Sequence, residues 1–190
     1  MKFCSDCGAS VVLKIPSGDN RERFVCSQCD VIHYQNPRVI TGCLPVWEDQ
    51  VLLCLRAIEP RRNYWTLPAG FLENSESVAD GARRETWEEA KAQVSNLRMY
   101  TVFSLPHISQ VYTFYLADLD NLDFATGEES LDVRLFRQAD IPWEQLAFPV
   151  ITQSLQHYFA DLPNADFPVR YAEINFRRPR PASASSNQES

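Results

Sequence analysis

Residues 70–92 read Gly70-Phe71-Leu72-Glu73-Asn74-Ser75-Glu76-Ser77-Val78-Ala79-Asp80-Gly81-Ala82-Arg83-Arg84-Glu85-Thr86-Trp87-Glu88-Glu89-Ala90-Lys91-Ala92. The first seven positions are loop. Ser77 offers an N-cap hydroxyl, and Asp80 follows near the positive end of a helix. From Val78 to about Ala92 the pattern is helical, with Val78, Ala79, Ala82, Thr86 and Ala90 able to face a core. Glu85, Glu88 and Glu89 fall at i, i+3 and i+4, so all three project from one face. Like charges so placed repel by roughly 0.2–0.5 kcal/mol per pair. A hard cation, Mg2+ or Mn2+, would convert that repulsion into ligation by oxygen. A solvated acidic face is the alternative for the three glutamates alone. Arg84 and Glu76 are spaced to pair across the loop–helix junction, which completes the form Gly-x5-Glu-x7-Arg-Glu-x2-Glu-Glu.

That form resembles the box of the Nudix hydrolases, a loop–helix–loop that positions divalent metals under a diphosphate. The resemblance implies an α/β (α+β) fold, a Nudix α/β/α sandwich with a mixed β-sheet. It implies that Glu85, Glu88 and Glu89 hold Mg2+ or Mn2+ with the carbonyl of Ala69, and that Arg84 and Glu76 orient Glu85. A glutamate outside the box often acts as general base or binds a further metal in this family. Glu129 is the first candidate here and Glu128 the second, with Glu89 an alternative proton acceptor. Gly70 and Glu73 are candidate substrate contacts. Arg56, ending an apolar strand, is a candidate phosphate contact. The chain departs from the family pattern at Thr86, where an aliphatic residue is usual, and at Lys91, where a glycine usually turns the chain. A helix running on past that point is therefore expected.

Upstream, Cys4-Ser5-Asp6-Cys7 and Cys26-Ser27-Gln28-Cys29 form two CxxC pairs. Two such turns close a tetrahedral thiolate site that suits structural Zn2+ and leaves no position for substrate. The runs Val11-Val12-Leu13 and Phe24-Val25, split by Pro16-Ser17-Gly18-Asp19-Asn20, suggest a hairpin between the knuckles, a zinc ribbon. So short a segment buries too little to fold alone, and the metal would stabilise it. Cys43 and Cys54 each stand alone in an apolar run and read as core. The expected organisation is a zinc ribbon over 1–36, a Nudix domain over 37–176 and a flexible tail over 177–190.

Over roughly residues 3–176 the chain is similar to Nudix members with an N-terminal zinc ribbon, which include NADH pyrophosphatases and a group acting on FAD and ADP-ribose. The Ser-Gln-Pro-Trp-Pro-Phe-Pro signature of the NADH enzymes is replaced by Ser104-Leu105-Pro106-His107-Ile108-Ser109-Gln110. Trp65–Glu73, Arg84–Ala90 and Glu129–Phe136 look closest to the FAD/ADP-ribose group. The function expected is metal-dependent cleavage of the diphosphate in ADP-ribose or FAD. The alternatives are a nucleotide-sensing regulator, an NADH pyrophosphatase and an RNA-end hydrolase.

The remaining sequence is consistent with this reading. At 190 residues, 45% hydrophobic and 23% charged, the chain has the make-up of a packed globule. A net charge of −7 argues against non-specific nucleic-acid binding but not against a phosphate substrate beside divalent cations. The start lacks an apolar signal core and no run is long enough to span a bilayer, so a cytoplasmic protein without membrane partners is expected. A homodimer is expected by fold analogy alone. Strands are predicted at Arg38–Trp47, Gln50–Arg56, Leu97–Leu105, Gln110–Leu119, Asp132–Phe136 and Val169–Phe176. A short helix is predicted at Ile141–Leu146 and an amphipathic one at Pro149–Leu162. Phe103, Tyr112, Phe114 and Tyr115 could stack on a base, although strand aromatics are more often core, and lone His107 reads as structural.

Overall fold

The structure, a computed structural model, describes residues 1–175. The expected flexible tail lies outside them. The chain divides into two compact units, Met1–Pro37 and the remainder from Arg38.

In the first unit, β1 (Val11–Lys14), β2 (Arg23–Cys26) and β3 (Ile32–His33) form a three-stranded antiparallel sheet. Apart from Val25 and the two cysteines Cys4 and Cys26, its apolar residues are largely exposed, including Val12, Leu13 and Ile15. Such a unit lacks the buried apolar area to hold itself together.

The second unit contains β4 (Arg38–Trp47), β5 (Gln50–Arg56), β6 (Trp65–Thr66), β7 (Ala69–Phe71), α1 (Val78–Ala90), β8 (Val94–Leu105), β9 (Gln110–Leu119), β10 (Ser130–Phe136), α2 (Pro149–Asp161) and β11 (Arg170–Glu173). Its sheet runs β10-β5-β4-β9-β8-β11, with β6 beside β5 and β7 beside β4. It is mixed, because β4–β9 and β8–β11 are parallel and the other pairs antiparallel. β4 and β5 pair only at Val46–Val51 and Trp47–Gln50. Beyond that tip they part, and β6 and β7 take the vacated partners. The parting brings the Pro68–Gly70 turn against α1.

Side chains alternate across the sheet. Leu44, Leu53, Phe103 and Phe114 join Ile151, Leu155, Tyr158 and Phe159 of α2 on one face. Cys43, Leu52, Cys54 and Ala117 meet Ala82 and Ala90 of α1 on the other. The expected α/β/α layering follows, and both lone cysteines are core. Buried Asp161 ends α2 and accepts hydrogen bonds from the Tyr100 hydroxyl (2.8 Å) and from Arg170, fastening β11.

Several expected boundaries need correction. α1 does not run past the missing glycine but stops at Ala90, and Lys91 takes the left-handed conformation (φ 51°) with its N–H on the Trp87 carbonyl. The stop is tertiary in origin. The carbonyls of Glu89 and Ala90 receive the N–H groups of Gly127 and Ala125, each at 2.9 Å, so the helix end is satisfied by this segment instead of by a further turn. The helix expected at Ile141–Leu146 is a single 3-10 turn at Trp143–Gln145. The last described strand is Arg170–Glu173, shorter than Val169–Phe176. β8 begins at Val94 and β10 at Ser130, each earlier than expected.

Candidate functional site

The loop before α1 exists to receive Arg84. Glu76 Oε1 accepts the Glu73 N–H at 2.7 Å and Arg84 Nη2 at 2.8 Å, while its Oε2 accepts Arg84 Nε at 3.0 Å. This two-pronged contact is the geometry a guanidinium makes best. Arg84 and the Glu73 N–H hold the Glu76 carboxyl down to about 2. Arg84 Nη2 also donates to the Phe71 carbonyl (3.1 Å), and Nη1 donates to Glu85 Oε1 (2.7 Å) and Glu88 Oε2 (3.0 Å). One cation therefore ties the loop to two of the three acidic residues. At Gly70 a Cβ would fall 2.4 Å from the Glu85 carboxylate, so any side chain there would displace that carboxylate from its place beside Arg84.

The three glutamates have different surroundings. Glu88 is exposed, whereas Glu85 and Glu89 are buried. Burial raises the Glu85 carboxyl above its ordinary value, against the pull of Arg84. Burial pushes Glu89 up to about 8, and its carboxylate accepts a hydrogen bond from the Ala69 N–H at 3.3 Å. The neighbouring charges of Glu85 and Glu129 add to that rise, and Arg56 opposes it. Buried carboxylates crowded together this way are poorly compensated by protein groups alone, and hard oxygen donors are what Mg2+ and Mn2+ take. The residues thus fit such a cation.

A cavity of about 940 Å³ opens onto this face. Its wall includes Arg56, Ala69, Gly70, Glu73, Arg84, Glu85, Glu88, Glu89 and Glu129, so every candidate of the second unit reaches it except Glu76, which stands behind Arg84. Glu128 lines it too. Arg56 donates through Nε to the Pro60 carbonyl (3.0 Å) and lies over the Phe148 ring at 5.4 Å. Of the four strand aromatics, Tyr112 and Phe114 line the cavity while Phe103 and Tyr115 pack in the two cores. His107 is also in the wall. Sequence reasoning missed Phe148 and Gly127. Phe148 precedes the Pro149 helix start, but its contact with Arg56 is tertiary and leaves no local signal.

In the first unit the sulfurs of Cys4, Cys7, Cys26 and Cys29 all lie within 4.8 Å of one another, the one such group among the described residues. A tetrahedron with Zn–S of about 2.3 Å has edges of about 3.8 Å. The observed Cys4–Cys29, Cys7–Cys26 and Cys7–Cys29 separations are 3.8, 3.4 and 3.5 Å. The N–H groups of Cys29 and Gln28 lower the Cys26 thiol to about 6, while hydrogen bonding among the crowded sulfurs raises Cys29 to about 12 and Cys7 above its ordinary value, so without a cation the cluster does not ionise together. These four residues fit zinc. His33 Nε2 lies 3.3 Å from Cys4 Sγ.

Residues 36–156 match the NUDIX domain model. The chain belongs to the Nudix family. Residues 2–35 match the Nudix N-terminal zinc-ribbon model. The Nudix chain is 33% identical over 142 residues to the NAD-capped RNA hydrolase NudC of Photobacterium profundum, a match covering 72% of this chain and 50% of that protein. It therefore spans about half the length of the curated relatives it matches. A crystal structure of a NUDIX hydrolase from Nitrosomonas europaea is 52% identical, covers 92% of this chain and 100% of that one, and superposes with a TM-score of 0.87. An ADP-ribose pyrophosphatase from Streptococcus suis 89-1591 shares the fold, with 21% identity, a TM-score of 0.59 and coverage of 72% and 100%.

Proposed function

We propose that this chain hydrolyses the diphosphate bond of a nucleoside diphosphate linked to another moiety, with ADP-ribose or FAD as first candidates. The products are AMP plus ribose 5-phosphate or FMN. The observation that carries this reading is the Arg84-clamped acidic face of α1 opening into a cavity with aromatic walls. The cavity's volume of about 940 Å³ lies at the upper end of ligand pockets and leaves room for two linked nucleoside-like halves.

Glu85, Glu88, Glu89 and the Ala69 carbonyl hold Mg2+ or Mn2+ in this reading. When bound, such cations neutralise phosphoryl charge and acidify the attacking water. Arg84, fixed by Glu76, sets the angle of Glu85 and Glu88. Arg56 reaches the phosphoryl oxygens and is braced by Phe148 beneath it. Gly70 and Glu73 border the diphosphate. Glu129 accepts the proton of the attacking water, with Glu89 as the other acceptor in reach of the same cavity. The ribbon over 1–36 holds structural Zn2+, and the domain over 37–176 carries the chemistry. The assembly proposed is a homodimer, by fold analogy, in the cytoplasm. Among the described residues no helix is long and apolar enough to cross a membrane.

A second reading has a specific basis. The sequence relatives are named NAD-capped RNA hydrolases, which favours a nicotinamide dinucleotide, free or at an RNA end. A product assay over ADP-ribose, FAD, NADH and NAD-capped RNA, with and without Mg2+ or Mn2+, tests both. AMP released only with metal, fastest from ADP-ribose or FAD, is the expected result. Fastest cleavage of NADH or capped RNA supports the second reading. Tight nucleotide binding without turnover would make the chain a sensor and overturn the proposal.

A further inference from the structure

The segment that carries Glu128 and Glu129 is fastened on both sides. Ahead of the pair, the N–H groups of Ala125 and Gly127 donate to the carbonyls of Ala90 and Glu89, each at 2.9 Å. After it, the Glu129 carbonyl accepts the Ala57 N–H at 2.8 Å, at the end of β5. The Ser130 N–H closes a turn onto the Gly127 carbonyl at 3.2 Å. The last turn of α1 would otherwise leave carbonyls without donors. The segment thus caps the helix that bears Glu85, Glu88 and Glu89.

Gly127 makes this contact possible. A Cβ there would fall 1.7 Å from the Glu88 carbonyl oxygen, 2.8 Å from its carbon and 3.0 Å from Glu89 Cα. All three are helix backbone atoms, which no side-chain rotation moves aside. The left-handed glycines among the described residues are Gly8 and Gly18. Space, and not conformational freedom, demands glycine at 127.

We propose that Gly127 is a positioning residue: lying flat on the Glu88–Glu89 backbone, it sets Glu128 and Glu129 into the cavity wall beside the acidic face of α1. The inference rests on the hydrolase reading above and deepens it. Any larger residue must lift the segment off the helix and carry both carboxylates with it. Glu85, Glu88 and Glu89 keep their Arg84 and Ala69 partners meanwhile, because none of those contacts is made by the 125–129 segment.

The test is steady-state hydrolysis by the full chain with Mg2+, on the substrate it cleaves fastest. Gly127→Ala is expected to lower kcat about 100-fold, as a misplacement near 1 Å can, with KM changed only a few-fold. In a Glu129→Gln background the same substitution is expected to cost far less, because the group it positions is already gone. A wild-type kcat in Gly127→Ala, or an equal loss in both backgrounds, overturns the proposal. Ala125→Pro removes the N–H that meets Ala90 without adding an atom against Glu88. It is expected to lower kcat in the same selective way even if Gly127→Ala does not fold. Unchanged kcat in Ala125→Pro, with Gly127→Ala unfolded, also overturns it. No turnover by the wild-type protein overturns the hydrolase reading itself, a result distinct from an active wild type with an unaffected Gly127→Ala.

Discussion

Arg84 shows how far single residues could be read. Its pairing with Glu76 follows from the spacing across a loop–helix junction, and the structure places both carboxylate oxygens on the guanidinium. Helical spacing also puts Glu88 within reach of Arg84, but the burial of Glu89 against Ala69 does not follow from spacing. The burial of Glu89 depends on how β7 packs on α1, which no spacing along the helix states. The Glu76 carboxylate gives a pH prediction. Its folded value of about 2 lies below the ordinary 4.5, so its contribution to stability is complete above pH 4.5 and is lost as pH falls toward 2. In urea unfolding, wild type should be more stable than Glu76→Gln at pH 7, and the gap should narrow steadily between pH 4.5 and the acid limit. A gap that ignores pH contradicts the clamp.

At the scale of elements, the strands β4, β5 and β9 have the ends that their apolar runs predict. The two-residue link Glu48-Asp49 reads as a hairpin joining β4 to β5, and they do pair at that tip. The parallel β4–β9 pairing and the parting of β4 from β5 beyond it were not legible, because they are long-range choices. The end of α1 is the clearest case of tertiary override. A lysine in the left-handed region costs about 1–2 kcal/mol. It persists because the 125–127 segment docks on the last carbonyls of the helix, where a further turn would otherwise run. Lys91→Gly relieves that strain. It loses a contact over Trp87 (5.6 Å) worth about 0.5 kcal/mol and adds about 0.4–1 kcal/mol of unfolded-chain freedom. The net expectation is stabilisation by about 0.5 kcal/mol, read from the urea midpoint. A clear loss of stability would mean that Lys91 does more than end the helix.

For the molecule as a whole, the family was legible because six fixed positions of one loop–helix segment carry it, and the two CxxC pairs carry the ribbon. The substrate was not legible, because the cavity wall draws on β5, β9, the 128–129 loop and the start of α2, each contributing one to three residues without a motif. The first unit buries few apolar residues, so stripping zinc with a strong chelator should abolish amide protection across residues 2–35 while the double core of the second unit persists. Unchanged protection in the ribbon would show that the cysteines hold no structural metal. The central claim concerns the acidic face of α1, and the most direct measurement is the Mg2+ dependence of AMP release by wild type and by Glu88→Gln. Glu88 is exposed, so the exchange leaves the core untouched. A metal-saturable rate in wild type that collapses by about 100-fold or more in Glu88→Gln is the predicted result, and a Glu88→Gln protein with the wild-type rate and metal response would contradict it.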